Sequence, residues 1–94
     1  MSETAVAVKY SGEEIGLRGQ EIYENRLRAL LETEENLGKI VSIDIESGDY
    51  EIAEDLLIAG RCLQLRHPDA LIYGKRIGYN AVYAVGGSLD RTAQ

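Results

Sequence analysis

The chain has 94 residues and a formal charge of −6, with 45% apolar residues, six Tyr and neither Phe nor Trp; this allows one domain, excludes the disordered class and argues against general nucleic-acid binding, which needs cation density. A single Cys and a single His exclude an internal disulfide, a cysteine-built zinc site and a multi-histidine metal centre. No apolar run approaches the ~18 residues of a membrane span, and the opening Met-Ser-Glu-Thr-Ala lacks the basic-then-apolar pattern of a signal peptide.

These exclusions leave a small cytoplasmic domain. Residues 1–10 carry no periodic pattern and are expected to be a flexible N-terminus. Ser11 and Glu14 fit the S-x-x-E capping box. Ile22, Tyr23, Leu27, Leu30 and Leu31 then recur at helical spacing, which predicts a first helix over 13–32. Gly16 and Gly19 weaken its early turns by roughly 1 kcal/mol each against Ala. Asn36 and Gly38 break the pattern. Val41, Ile43 and Ile45 alternate with Ser42 and Asp44, the signature of a half-buried strand. Glu46 to Asp49 is turn chemistry, and Tyr50-Glu-Ile52 returns, which predicts a β-hairpin with Ser47 and Gly48 at its tip.

From residue 54 the helical period resumes. Glu54 and Asp55 suit a helix N-terminus, and Arg61 and Arg66 suit its later turns. Pro68 ends it, which predicts a second helix over 54–66. Residues 71–77 and 81–85 read as two further strands, with Gly78-Tyr-Asn80 between them. Gly86 and Gly87 stop the last strand, and residues 88–94 are expected to be a flexible C-terminus. The predicted order is α-β-β-α-β-β within one α+β domain over 11–87. Two hairpins would form an antiparallel-rich sheet with two helices packed on one face. The predicted core is Tyr23, Leu27, Leu30, Val41, Ile43, Ile45, Ile52, Leu56, Leu63, Ile72 and Val82. A core this small is limited, and a homodimer would bury more.

The first hairpin carries the strongest charge signal. A two-residue turn at Ser47-Gly48 sets Glu46 opposite Asp49 and Asp44 opposite Glu51. Alternation then points Asp44, Glu46, Asp49 and Glu51 to one face. Like charges placed opposite one another destabilise a ribbon. The plain reading is a solvated outer face that guards against edge-to-edge aggregation. The sharper one is an acidic docking face for a basic protein partner. Hard cations also take carboxylate oxygens, but a flat strand face does not converge them, so no metal is expected. Ile40 to Ser47 resembles the first acidic motif, D-x-E-[ST], of exonucleases that use two metal ions. Such enzymes need further distant acids and a much larger domain.

Charge divides along the chain. Residues 32–55 hold nine acids and one Lys, and residues 60–79 hold Arg61, Arg66, Lys75 and Arg76 against Asp69. Such polarity permits neutralisation within the fold or pairing between chains. Arg76 and Tyr79 interleave with Tyr73, Lys75 and Tyr83 as cations and aromatics can on a binding surface, although Tyr is also an ordinary strand residue. His67, before Pro68, fits a helix-end role. Cys62 lies on an apolar stripe, which reads as a small core residue, and no motif frames it as a nucleophile. No phosphate loop or other cofactor motif is present.

Three blocks, Gly38 to Ile52, His67-Pro-Asp-Ala70 and Arg76 to Gly87, together resemble a family of small uncharacterised bacterial proteins common in cyanobacteria. The resemblance covers about residues 20–92. It implies no catalytic residues. Some members are antitoxin-like, being short and acidic. The reading that follows is a small acidic, non-enzymatic interaction protein, antitoxin-like or accessory, that binds a protein partner. Its expected contact residues are Asp44, Glu46, Asp49, Glu51, Arg76 and Tyr79. The alternative is a small enzyme or enzyme subunit using a carboxylate pair on the first hairpin.

Overall fold

A computed structural model describes residues 10–79 and the strand 82–86. The expectations placed on residues 1–9 and 87–94, and on Val82 as a core side chain, lie outside the described residues. The Ser11 hydroxyl accepts from the Glu14 N–H (3.1 Å), and the Glu14 carboxylate accepts from the Ser11 N–H (3.0 Å). This reciprocal cap starts helix α1, Gly12–Ile22. The helix then widens into a π-helical turn, Tyr23–Leu27, before α2, Arg28–Leu31. Here the Arg28 N–H reaches back to the Tyr23 carbonyl, an i→i−5 bond that inserts one residue into the helical count.

That insertion corrects one core assignment. A uniform 3.6-residue period puts Leu30 inward, yet Leu30 is 61% exposed and Leu31 is buried in its place. The extra residue rotates everything beyond it by about 100°. Tyr23 and Leu27, within the turn, are buried as expected.

The strands are β1, Ile40–Asp44; β2, Tyr50–Ala53; β3, Ile72–Arg76; and β4, Val82–Gly86. Helix α3, Leu56–Arg66, lies between β2 and β3. Asp55 caps it, accepting from the Ile58 N–H at 3.0 Å. The four strands form one sheet in the order β2-β1-β3-β4, each neighbouring pair antiparallel. Strands β2 and β3 therefore flank β1 and run parallel to each other. Helix α3 is the crossover that carries the chain past β1.

The helices do not share a face. Val41, Ile43 and Ile45 pack with Ile15, Tyr23, Leu27, Leu31, Tyr73 and Ile77 beneath the N-terminal helices. Leu63, Ala70 and Ile72 form a second cluster with Leu56 under α3. Alternation along β1 sends Ser42 to that second side, where its hydroxyl donates to the Ala59 carbonyl at 2.8 Å. The one-face arrangement fails because β1 is buried along its whole length, so its polar residues lie under a helix and not under water. Ile52 and Leu56, predicted core, are half-buried. Among the described residues no helix is long and apolar enough to cross a membrane.

Candidate functional site

The site begins with the hairpin loop. Pairing of β1 with β2 sets Ile43 opposite Tyr50 and Val41 opposite Ile52, two residues away from the register that a Ser47-Gly48 turn implies. The loop is longer because Asp44 organises it. The Asp44 carbonyl accepts from the Gly48 N–H at 2.7 Å, and its own N–H donates to the Asp49 carbonyl at 2.9 Å. Gly48 sits at φ +80°, left-handed backbone that glycine adopts without cost. A shift of two residues preserves which side chains share a face. The face itself is different: it lies against α3.

Asp44, Asp49 and Glu51 each find partners nearby. The Asp44 side chain is only 6% exposed. It accepts from the Ser47 hydroxyl (2.8 Å) and from the N–H groups of Glu46 and Leu71 (3.3 Å each). Arg66, in the last turn of α3, pairs with Asp49 and reaches Glu51 at 2.6 Å. It also donates to the Tyr50 carbonyl at 3.0 Å. His67 follows at the helix end. Its Nε2 donates to Asp49 Oδ2 at 2.9 Å, a carboxylate oxygen being an acceptor only, and its Nδ1 lies 3.8 Å from Asp44 Oδ2. The His67 hydrogen bond holds the Asp49 carboxyl below its ordinary range; partial burial opposes this, and the Tyr50 N–H and Arg66 reinforce it.

Between this loop and the α3 terminus opens a cleft of about 400 Å³ lined by Asp44, Glu46 and Ser47 on one side and Arg66 to Ala70 on the other. Serine, histidine and aspartate meet here without the geometry of a nucleophile and its base. The Ser47 hydroxyl donates to Asp44, and both ring nitrogens of His67 face carboxylates. Among the described residues no three His, Cys, Asp or Glu side chains converge as a metal ion would require.

The expected contact residues therefore fall into two places. Asp44, Glu46, Asp49 and Glu51 gather at the loop end of the sheet, where Arg66 holds Asp49 and Glu51, His67 holds Asp49, the loop buries Asp44, and Glu46 is exposed. Arg76 and Tyr79 lie at the opposite end, where Arg76 pairs with Ile40 and donates to the Gly38 carbonyl at 2.8 Å. Beside them Lys75 is buried, donating to the carbonyls of Arg76 and Tyr79 and stacking 4.6 Å over the Tyr23 ring. Burial pushes its ammonium down from its ordinary value, against the pull of Glu32 and Glu24. The Tyr23 hydroxyl donates to Glu32 at 2.7 Å, and burial followed by that bond lifts it to about 12.

The sequence reading missed a third feature, the outer face of α3. Ala59, Gly60 and Leu63 bury the inner face. Ile58 (51%) and Leu65 (83%) stand in solvent with Leu57, Arg61 and Cys62. The signal was present: an apolar run wider than one stripe, Leu56-Leu-Ile-Ala, is more than a single inner face uses. No protein-family model, curated protein or solved structure matches this chain.

Proposed function

We propose that this chain is a non-enzymatic interaction protein, accessory or antitoxin-like, that works in the cytoplasm by contact with a protein partner. The observation that supports it is the outer face of α3, an apolar strip on a helix whose other side is already packed. Exposed apolar side chains gathered on one element mark contact surfaces more than scattered ones do. The acidic hairpin supports a different role, that of a clamp fixing the end of that helix. Of the hairpin acids, Asp44 is engaged in three loop hydrogen bonds and Asp49 with Arg66 and His67, which supports a holding role over proton exchange for these two.

The test is a photo-crosslinking amino acid placed at Leu65 in the native cell, with exposed Leu17 on α1 as the control position. A discrete adduct from position 65, weak or missing from position 17, is the expected result. No adduct at 65, or equal yields at both, would remove the reading.

A further inference from the structure

Strand β4 ends the sheet at the edge opposite β2, and the inner hydrogen bonds fix which of its backbone groups face outward. Strands β1 and β3 meet through the Ile45 N–H to Leu71 carbonyl bond (3.1 Å) and the Ile77 N–H to Lys39 carbonyl bond (2.8 Å). Bonded positions recur at every second residue of an antiparallel ladder, so Leu71, Tyr73, Lys75 and Ile77 turn their backbone groups to β1. Ile72 and Gly74 turn theirs the other way, to Gly86 and Ala84 of β4. Val85, between those two, therefore directs its N–H and carbonyl away from β3. Among the described residues no strand lies beyond β4. A register shift interrupts the ladder between Gly74 and Lys75, which leaves Ala84 to Gly86 as the regular part of this edge.

The two edges of the sheet differ. On the β2 edge the outward groups of Tyr50 are held within the chain: its N–H donates to the Asp49 carboxylate at 3.0 Å, and its carbonyl accepts from Arg66 at 3.0 Å. Glu51 lies in that strand and Glu54 and Asp55 follow it, so two copies meeting there would set acid near acid. The β4 edge has none of these guards. No charged residue stands between Arg76 and Asp90, and β4 reads Val-Tyr-Ala-Val-Gly, without the Lys or Pro that blunts an edge. In a chain of formal charge −6, copies repel one another, and β4 adds nothing to that repulsion. A twofold axis through Val85 sets two such strands antiparallel and lets each Val85 bond the other reciprocally, N–H to carbonyl.

We infer that the outer edge of β4 pairs antiparallel with β4 of a second copy of the chain, with reciprocal Val85 hydrogen bonds at the centre, which joins two four-stranded sheets into one. This surface is separate from the outer face of α3 and does not depend on the interaction reading above. Five residues of strand span about 16 Å at 3.3 Å per residue. A contact of this length falls at the small end of specific interfaces, so pairing depends on concentration in the micromolar range or above.

Sedimentation equilibrium of the full chain at physiological salt tests this, with circular dichroism confirming that each variant is folded. Wild type is expected to move from the 10.4 kDa chain mass toward twice that value as concentration rises. Val85→Pro removes an outward N–H and spares the bonds to β3, the edge position at which a strand tolerates proline. It should weaken the dimer by roughly tenfold or more, because both reciprocal bonds are lost. Ile52→Pro is the control. The Asp44 N–H to Asp49 carbonyl bond (2.9 Å) fixes Ile52 as an outward position of β2, and its change should leave pairing as it was. Amide exchange in the wild type, followed by NMR, needs no variant: the Val85 amide should slow as concentration rises, and the Ile52 amide should not. A wild type monomeric at high micromolar concentration overturns the inference. So does a dimer that survives Val85→Pro, one that Ile52→Pro weakens equally, or a Val85 amide indifferent to concentration.

Discussion

At the scale of single residues, two glycines on one helix make opposite demands. Both Gly16 and Gly19 lie inside α1, where replacing glycine by alanine ordinarily stabilises by about 1 kcal/mol. A Cβ at Gly16 meets nothing, and Gly16→Ala is expected to raise stability by about that amount. A Cβ at Gly19 would fall inside the Tyr73 side chain, against its Cβ and ring carbons. Overpacking of this kind costs about 1–3 kcal/mol, which exceeds the propensity gain, so Gly19→Ala should destabilise. Urea denaturation of the two variants separates the cases. Tyr23 supplies a second residue-scale outcome. Its phenol is lifted to about 12, above the ~10 of an unfolded tyrosine. The raised value favours the neutral folded form, so this contribution is fully present below pH ~10. It is lost as pH rises through the folded value. Absorbance titration of tyrosinate should show a late-ionising component near 12 that disappears in Tyr23→Phe.

At the scale of elements, the clamp between the hairpin and α3 decides what the acids do. Asp44→Asn with Glu51→Gln is expected to lower stability, because the first disturbs a buried three-way acceptor and the second removes an Arg66 partner. Burial of a disturbed acceptor costs about 1–3 kcal/mol, and thermal denaturation measures it. The pH behaviour follows from Asp49, whose carboxyl is held down chiefly by the His67 hydrogen bond. A depressed carboxyl stabilises the fold above its unfolded value of about 3.9. That stabilisation fades as pH falls through the folded value. Asp49→Asn should therefore be less stable than wild type at neutral pH, and the gap should close in acid. Much of this architecture was legible. The capping box, both helices, the strand alternation and the role of Pro68 were each written in local pattern. The residues that escaped were set by non-local facts. Leu30 and Leu31 exchange roles because of one π-helical turn. The hairpin register moves because the Asp44 side chain builds a longer loop. The acids' partners come from Arg66 and His67, fifteen or more residues away in sequence, where no periodicity reaches.

At the scale of the whole molecule, the sheet order divides the core between two sides of β1, one under the N-terminal helices and one under α3. This order also imposes a sequence in time. Strand β2 follows β1 after a short loop, whereas residues 72–76 must return to β1 from beyond α3. Closing the longer loop costs more chain entropy before any contact repays it. The first hairpin is thus expected in the folding nucleus, and β3 with the α3-side cluster to dock late. Ile52→Ala, in β2, should slow folding. Ile72→Val, a loss of about 1 kcal/mol on β3, should leave the folding rate nearly unchanged and hasten unfolding. The folding and unfolding limbs of a chevron plot read the two effects separately. On this ordering the Arg66 clamp closes only after its acids are already in place. For that interval the hairpin carries its crowded negative charge without relief, so added salt should speed folding more than it raises final stability.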